Sequence, residues 1–280
     1  MARPAAQLGL CRVRRVAIGF CVALPALATI ARSQTASAGQ NLAGSAPVAA
    51  PVRPFAVGER LEYRVRVPVF GTVGRGVLSV GAIDTVRGVP TWVLRFDVDA
   101  GVGPLHGTDH SASWLDPVRM STMRYTRDES MPSAHHRDSV EVFPLERRWT
   151  AASGESGISP SDDPLDELSF IFLLRTLPLA SDSMLVFHRH YDVERSPTRV
   201  QLLGRETITT EVGTFRTIIV EMRVRDHQRF RSEGVIRFNL SDDSLRIPIR
   251  IISPMRELGT TELLLRVRSV AASDGAPAGR

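Results

Sequence analysis

Residues 162–179 read DDPLDELSFIFLLRTLPL, and this stretch decides the fold. Asp163 suits the N-cap of a helix, Pro164 suits the first helical position, and Asp166 and Glu167 complement the positive helix end. Leu165, Leu168 and Phe172 keep helical spacing, while Phe170, Ile171, Leu173 and Leu174 fill most of the remaining directions. A helix that is apolar nearly all round is a buried helix. Pro178 ends it, so the expected span is about 164–176. Such a helix needs a wall around it, and the rest of the chain must supply one.

The flanking sequence alternates with period two. In ERLEYRVRV (59–67), Leu61, Tyr63, Val65 and Val67 oppose Arg60, Glu62, Arg64 and Arg66. TWVLRFDV (91–98), TIIVEMRVR (217–225), RIPIRI (246–251) and TELLLRVRS (261–269) repeat the pattern. Each reads as a strand with one dry face and one wet face, which belongs to an antiparallel sheet. Roughly ten to twelve such strands are expected, and a sheet that wide curls or closes. The predicted class is therefore mainly β: a curved or closed antiparallel sheet, barrel-like, with the helix at 164–176 buried against its concave apolar face.

The chain of 280 residues carries a formal net charge of +5 and contains no lysine. Residues 1–33 have the basic start, apolar middle and small-residue end of a cleaved secretory signal peptide, with Ala31 and Ser33 preceding the cut. The apolar run is interrupted by Pro25 and is shorter than the roughly 20 residues that span a bilayer. No transmembrane segment is expected after cleavage. The leader holds five arginines, no acid and both cysteines, Cys11 and Cys21. The remaining chain is thus formally neutral and cysteine-free, which argues against a nucleic-acid partner and fits a periplasmic or secreted protein. Residues 34–53 and 271–280 read as disordered linker and tail, and 54–270 as a single β domain.

Asp242 and Asp243 in NLSDDSLRIPIRI (239–251) lie between two alternating runs and three residues before Arg246. Their position favours a structural hairpin tip over a catalytic pair, with Asp243 and Arg246 pairing across the turn. This segment, together with PFAVGERLEYRV (54–65), LDELSFIFLLRTLPL (165–179) and VQLLGRETITTEVGTFRTIIVE (200–221), resembles the DUF3108 family of secreted bacterial proteins. Phe238 and Asn239 stand near the position where that family carries tryptophan. The resemblance implies a mainly antiparallel β fold with one internal helix, and it implies no activity.

Chemistry-bearing constellations are sparse. The seven histidines are His106, His110, His135, His136, His188, His190 and His227. His188 and His190, two apart on an expected strand, would share a face and offer a weak half of a metal site. GESGI (154–158) departs from the G-x-S-x-G elbow of hydrolases at its last position, and no nucleotide-binding or H-E-x-x-H motif occurs. VFGTVGRGV (69–77) places three glycines in an expected turn and twisted edge. The sequence calls for no cofactor. It supports a binding module for an apolar or lipid-like molecule, with Phe172 and Arg175 as candidate ligand contacts. The alternative is an envelope interaction module with a fully packed interior, whose partner is another envelope protein. A hydrolase or metal-dependent enzyme is a third reading.

Overall fold

The computed structural model describes residues 53–132, 134–179, 184–225, 233–255 and 259–270. The leader, the tether up to residue 52, the C-terminal tail and His227 lie outside the described residues. Arg53, assigned to the tether from sequence, instead donates hydrogen bonds to the carbonyls of Pro117 and Val118.

Fourteen strands form one antiparallel sheet. They are β1 (Glu59–Val67), β2 (Gly71–Val86), β3 (Val89–Val102), β4 (Leu105–Asp116), β5 (Ser121–Met131), β6 (Ala134–Phe143), β7 (Arg148–Ala151), β8 (Ser156–Ile158), β9 (Met184–Phe187), β10 (Thr198–Thr210), β11 (Gly213–Arg225), β12 (Glu233–Ser241), β13 (Pro248–Met255) and β14 (Gly259–Val270). The spatial order is β8-β7-β6-β5-β4-β3-β2-β1-β14-β13-β12-β11-β10-β9. Every neighbour pair is consecutive in sequence except β1 and β14. The sheet is therefore an up-and-down meander whose first and last strands meet in the middle. It does not close, because β8 and β9 do not pair. The count exceeds the ten to twelve expected because the short β7, β8 and β9 carry no clear alternation.

Among the described residues there is one α-helix, α1 (Glu167–Thr176), and it lies in the connection between the two sheet edges. Leu168 through Arg175 are all buried. The apolar residues among them share one core with Leu61, Leu94, Val220, Ile249 and Leu263 from the dry faces of β1, β3, β11, β13 and β14. Phe172 is fully buried there, with its ring edge-on to Phe55 at 4.9 Å.

The helix begins three residues later than expected. Asp163 is not the cap and Pro164 is not the first helical residue. The segment before Asp166 is extended, because its backbone groups are already engaged. The Pro164 carbonyl accepts from the Thr122 N–H at 2.8 Å, and Leu165 exchanges bonds with Arg189 and Tyr191. The N-cap is Asp166, whose Oδ1 accepts from the N–H groups of Leu168 and Ser169. The Ser169 hydroxyl accepts from the Asp166 N–H in return, completing a capping box. Oδ2 of the same carboxylate accepts from Ser113 at 2.5 Å and Thr122 at 2.6 Å, on β4 and β5.

The glycines of 69–77 also differ from expectation. The turn is confined to 67–71, and Gly74 and Gly76 lie inside β2, which is flanked on both sides. A Cβ at Gly74 would stand 2.1 Å from the Asp99 carbonyl, so close approach of β2 and β3 explains the residue.

Asp166→Ala removes a cap and leaves buried hydroxyls without their acceptor. A loss of about 2–4 kcal/mol in chemical denaturation is expected, above the usual cost of a surface cap. A loss below about 0.5 kcal/mol would show that the helix is not anchored through this carboxylate.

Candidate ligand cavity

The inner face of the sheet does not pack fully against α1. A cavity of about 140 Å³ lies beside the N-terminal half of the helix. Its apolar wall comes from Leu168, Phe170 and Ile171 on α1, Phe96 and Val98 on β3, Met222 and Val224 on β11, Ile236 and Phe238 on β12, Ile251 on β13 and Leu263 on β14. Pro254, which is exposed, stands at its rim.

The other side of the cavity is polar and built from two groups. In the first, Arg127 of β5 is buried and donates to Asp109 of β4 at 2.6 and 3.2 Å, with Glu129 at 2.9 Å. Burial alone would push the Arg127 guanidinium down, and its acidic surroundings, Asp109 foremost and Glu129 with it, hold it above its ordinary value. In the second, Glu167 pairs with Arg195, and His190 Nε2 lies 3.6 Å from Glu167 Oε1. Burial pushes the Glu167 carboxyl up, yet Arg195 and His190 together hold it well below the usual carboxylate range. Tyr125, Ser111, Thr198, Ser253, Thr261 and Arg225, which donates to the Ser196 carbonyl at 3.3 Å, supply the other polar lining groups.

His190 is only 5% exposed. Its Nδ1 accepts from the Asp192 N–H at 3.1 Å, and its ring lies against Tyr191 with centroids 4.6 Å apart. Among the described residues neither His190 Nε2 nor Glu167 Oε2 has a hydrogen-bond partner, although both atoms are buried.

The structure separates the residues singled out from sequence. Phe172 and Arg175 are not among those lining the cavity. The Arg175 guanidinium is fully buried against Glu59, with bonds at 2.5 and 3.0 Å, and also donates to the carbonyls of Pro54 and Leu245. His188 and His190 do not share a face: β9 ends at Phe187, His188 is exposed and His190 is buried. No group of three or more potential metal ligands occurs among the described residues. Asp242 and Asp243 form the turn between β12 and β13, far in sequence from any cavity residue of β3–β5. The expected Asp243–Arg246 ion pair is replaced by Asp242–Arg246 at 3.2 Å. Asp243 Oδ1 instead accepts from the Ser241 hydroxyl and from the N–H groups of Leu245 and Arg246. That backbone pairing turns the Arg246 side chain toward its other neighbour.

Comparison with known proteins places this architecture. The model of the family described as "Protein of unknown function (DUF3108)" matches residues 62–266. The chain belongs to the DUF3108 family. A crystal structure of a β-barrel-like protein of domain of unknown function DUF1849 from Brucella abortus is similar at 11% identity. It covers 79% of this chain and 100% of its own, with a TM-score of 0.54, so the likeness is one of fold. A DUF1089 family protein from Pseudomonas aeruginosa, also 11% identical, covers 63% of this chain and 88% of its own at a TM-score of 0.30. No curated protein matches. This DUF3108 chain contains no helix among its described residues that is long and apolar enough to cross a membrane.

Two predictions follow from this geometry. Asp243→Ala removes an acceptor of three hydrogen bonds and is expected to lower unfolding free energy by about 1–2 kcal/mol, with Asp243→Asn milder because it keeps an oxygen there. For Glu167, the folded carboxyl titrates below its unfolded value of about 4.3. Its contribution to stability is therefore complete above that value and is lost as pH falls through the lower folded value. Thermal melts of Glu167→Gln should lie below wild type at neutral pH, and the gap should narrow on acidification toward about pH 3. A gap that widens on acidification would contradict the depressed carboxyl.

Proposed function

We propose that this DUF3108 protein binds a small amphipathic, lipid-like molecule in the cavity beside α1, and does so outside the cytoplasm after removal of the 1–33 leader. The observation that carries the reading is the cavity itself, bounded by α1 on one side and by strands from both arms of the sheet on the other. Interiors ordinarily pack without voids of this size. An engineered apolar cavity of about 150 Å³ admits a benzene molecule, so this one has room for a ring or a short acyl segment. An apolar wall facing a few fixed polar groups is the usual character of a small-molecule site. Arg127 and Arg195 are paired with Asp109 and Glu167, and Arg225 donates to the Ser196 carbonyl, so the lining charges are engaged by the protein itself, which supports an uncharged ligand over a strong anion or cation.

Filling the cavity tests the reading. Ile171 is nearly buried and lines it, whereas Ile158 on β8 is 68% exposed and does not. Native mass spectrometry with organic extraction of wild-type protein from its own envelope should recover a small apolar molecule. Ile171→Trp should reduce its occupancy at least about tenfold at a stability cost of about 1–3 kcal/mol, while Ile158→Trp leaves it unchanged. A wild-type protein that carries no extractable molecule sinks the proposal.

A further inference from the structure

The unpaired atoms in the polar wall define the group that a ligand must bring. His190 Nδ1 accepts the Asp192 N–H, so in the neutral ring the proton resides on Nε2 and that nitrogen is a donor. It is buried and has no hydrogen-bond partner among the described residues. Glu167 is ionised, held so by its ion pair with Arg195, and an ionised carboxylate only accepts. Its Oε2 is buried and unpartnered as well. The two side chains that carry this unused donor and this unused acceptor both line one cavity, and His190 Nε2 stands 3.6 Å from the other oxygen of the same carboxylate, Oε1. Leaving either group unsatisfied in a dry interior is costly, and native structures rarely do so without a reason.

Resting on the cavity-binding reading, we infer that the ligand carries a hydroxyl, seated so that its oxygen accepts from His190 Nε2–H and its proton goes to Glu167 Oε2. A hydroxyl is the smallest organic group that gives one hydrogen bond and takes another. An ether or ketone would leave Glu167 unpaired. A carboxylate would set a second negative charge against it. An ammonium would leave His190 unpaired. The hydrocarbon of the ligand then lies along Leu168, Ile171 and Met222.

Four ring-sized probes on the full chain test this by calorimetric titration: p-cresol, benzyl alcohol, anisole and toluene. At least one of the two hydroxyl probes should bind about tenfold or more tightly than toluene, because a hydrogen bond to a charged acceptor outweighs a neutral contact. Whichever hydroxyl probe is tighter assigns the ligand as a phenol or an aliphatic alcohol. Anisole, which only accepts, should fall below the better of them. His190→Asn keeps an acceptor oxygen for the Asp192 N–H and removes Nε2, and its melting curve reports whether the fold is intact. In that variant the preference for hydroxyl over toluene should shrink to within about threefold. If toluene or anisole binds wild type as tightly as both hydroxyl probes, the hydroxyl inference is overturned while the cavity reading stands. The same holds if water alone serves the two groups, since that too gives no preference. If none of the four binds, both readings fall together.

Discussion

A helix enclosed by a sheet must satisfy its own ends without water, and in this protein one carboxylate does so at the N-terminus. Asp166 accepts from two helical N–H groups through one oxygen and from Ser113 and Thr122 through the other. The two helical bonds alone would make an ordinary cap. The two strand hydroxyls make it an anchor, because they fix α1 in place and azimuth against β4 and β5. Burial raises the pKa of this carboxyl despite those four bonds, a measure of how dry the site is. Where the helix sits then determines everything beside it: which face of Phe172 meets Phe55, and where Leu168 and Ile171 stop short of the opposing strands.

The opposite end of the helix is held by the residues that carry the family resemblance. Arg175 reaches Glu59 and the Pro54 carbonyl in the first motif and the Leu245 carbonyl in the last. Glu206 and Arg205, in the glycine-arginine-glutamate segment, meet Arg250 and Asp242 of the last motif, and Asn239 donates to Glu206. The four motifs, scattered over the chain, therefore converge on one scaffold network around the helix end and the β12–β13 turn. A buried ion pair of this kind adds little net stability by itself, but removing one partner is expensive. What the motifs specify is the architecture. The cavity is lined mostly by other residues.

This division explains what could be read from sequence. The strands of β1, β3, β11, β13 and β14 were legible because each has a wet and a dry face, and α1 was legible because it has no wet face. Its starting residue was not. Asp163 followed by proline is locally as good a beginning as Asp166, and the choice is made by Ser113 and Thr122, more than forty residues away. The polar wall left a signal that alternation does contain: Asp109, Ser111 and Ser113 share a face with Leu115, and Arg127 shares one with Tyr125. Polar side chains at inward positions of a strand mark an interior that is not a plain core. Glu167 looked like a helix-end acid, and only the approach of Arg195 and His190 gives it another environment. The Asp242–Arg246 pairing depends on a backbone bond to Asp243 that no spacing rule reveals.

The meeting of β1 with β14 has a kinetic meaning. All other ladders join strands adjacent in the chain, so either arm can zip up hairpin by hairpin at small entropic cost. The Glu59–Val270 register closes a loop of about two hundred residues, and such non-local pairing is the slow part of assembly. Until the last strand is available, β1 has one neighbour instead of two, and the Arg175–Glu59 lock has only half of its housing. The chain thus keeps its final cooperative step for the moment its C-terminal strand arrives, and a nascent polypeptide would be two unjoined hairpin ribbons with a greasy helix between them.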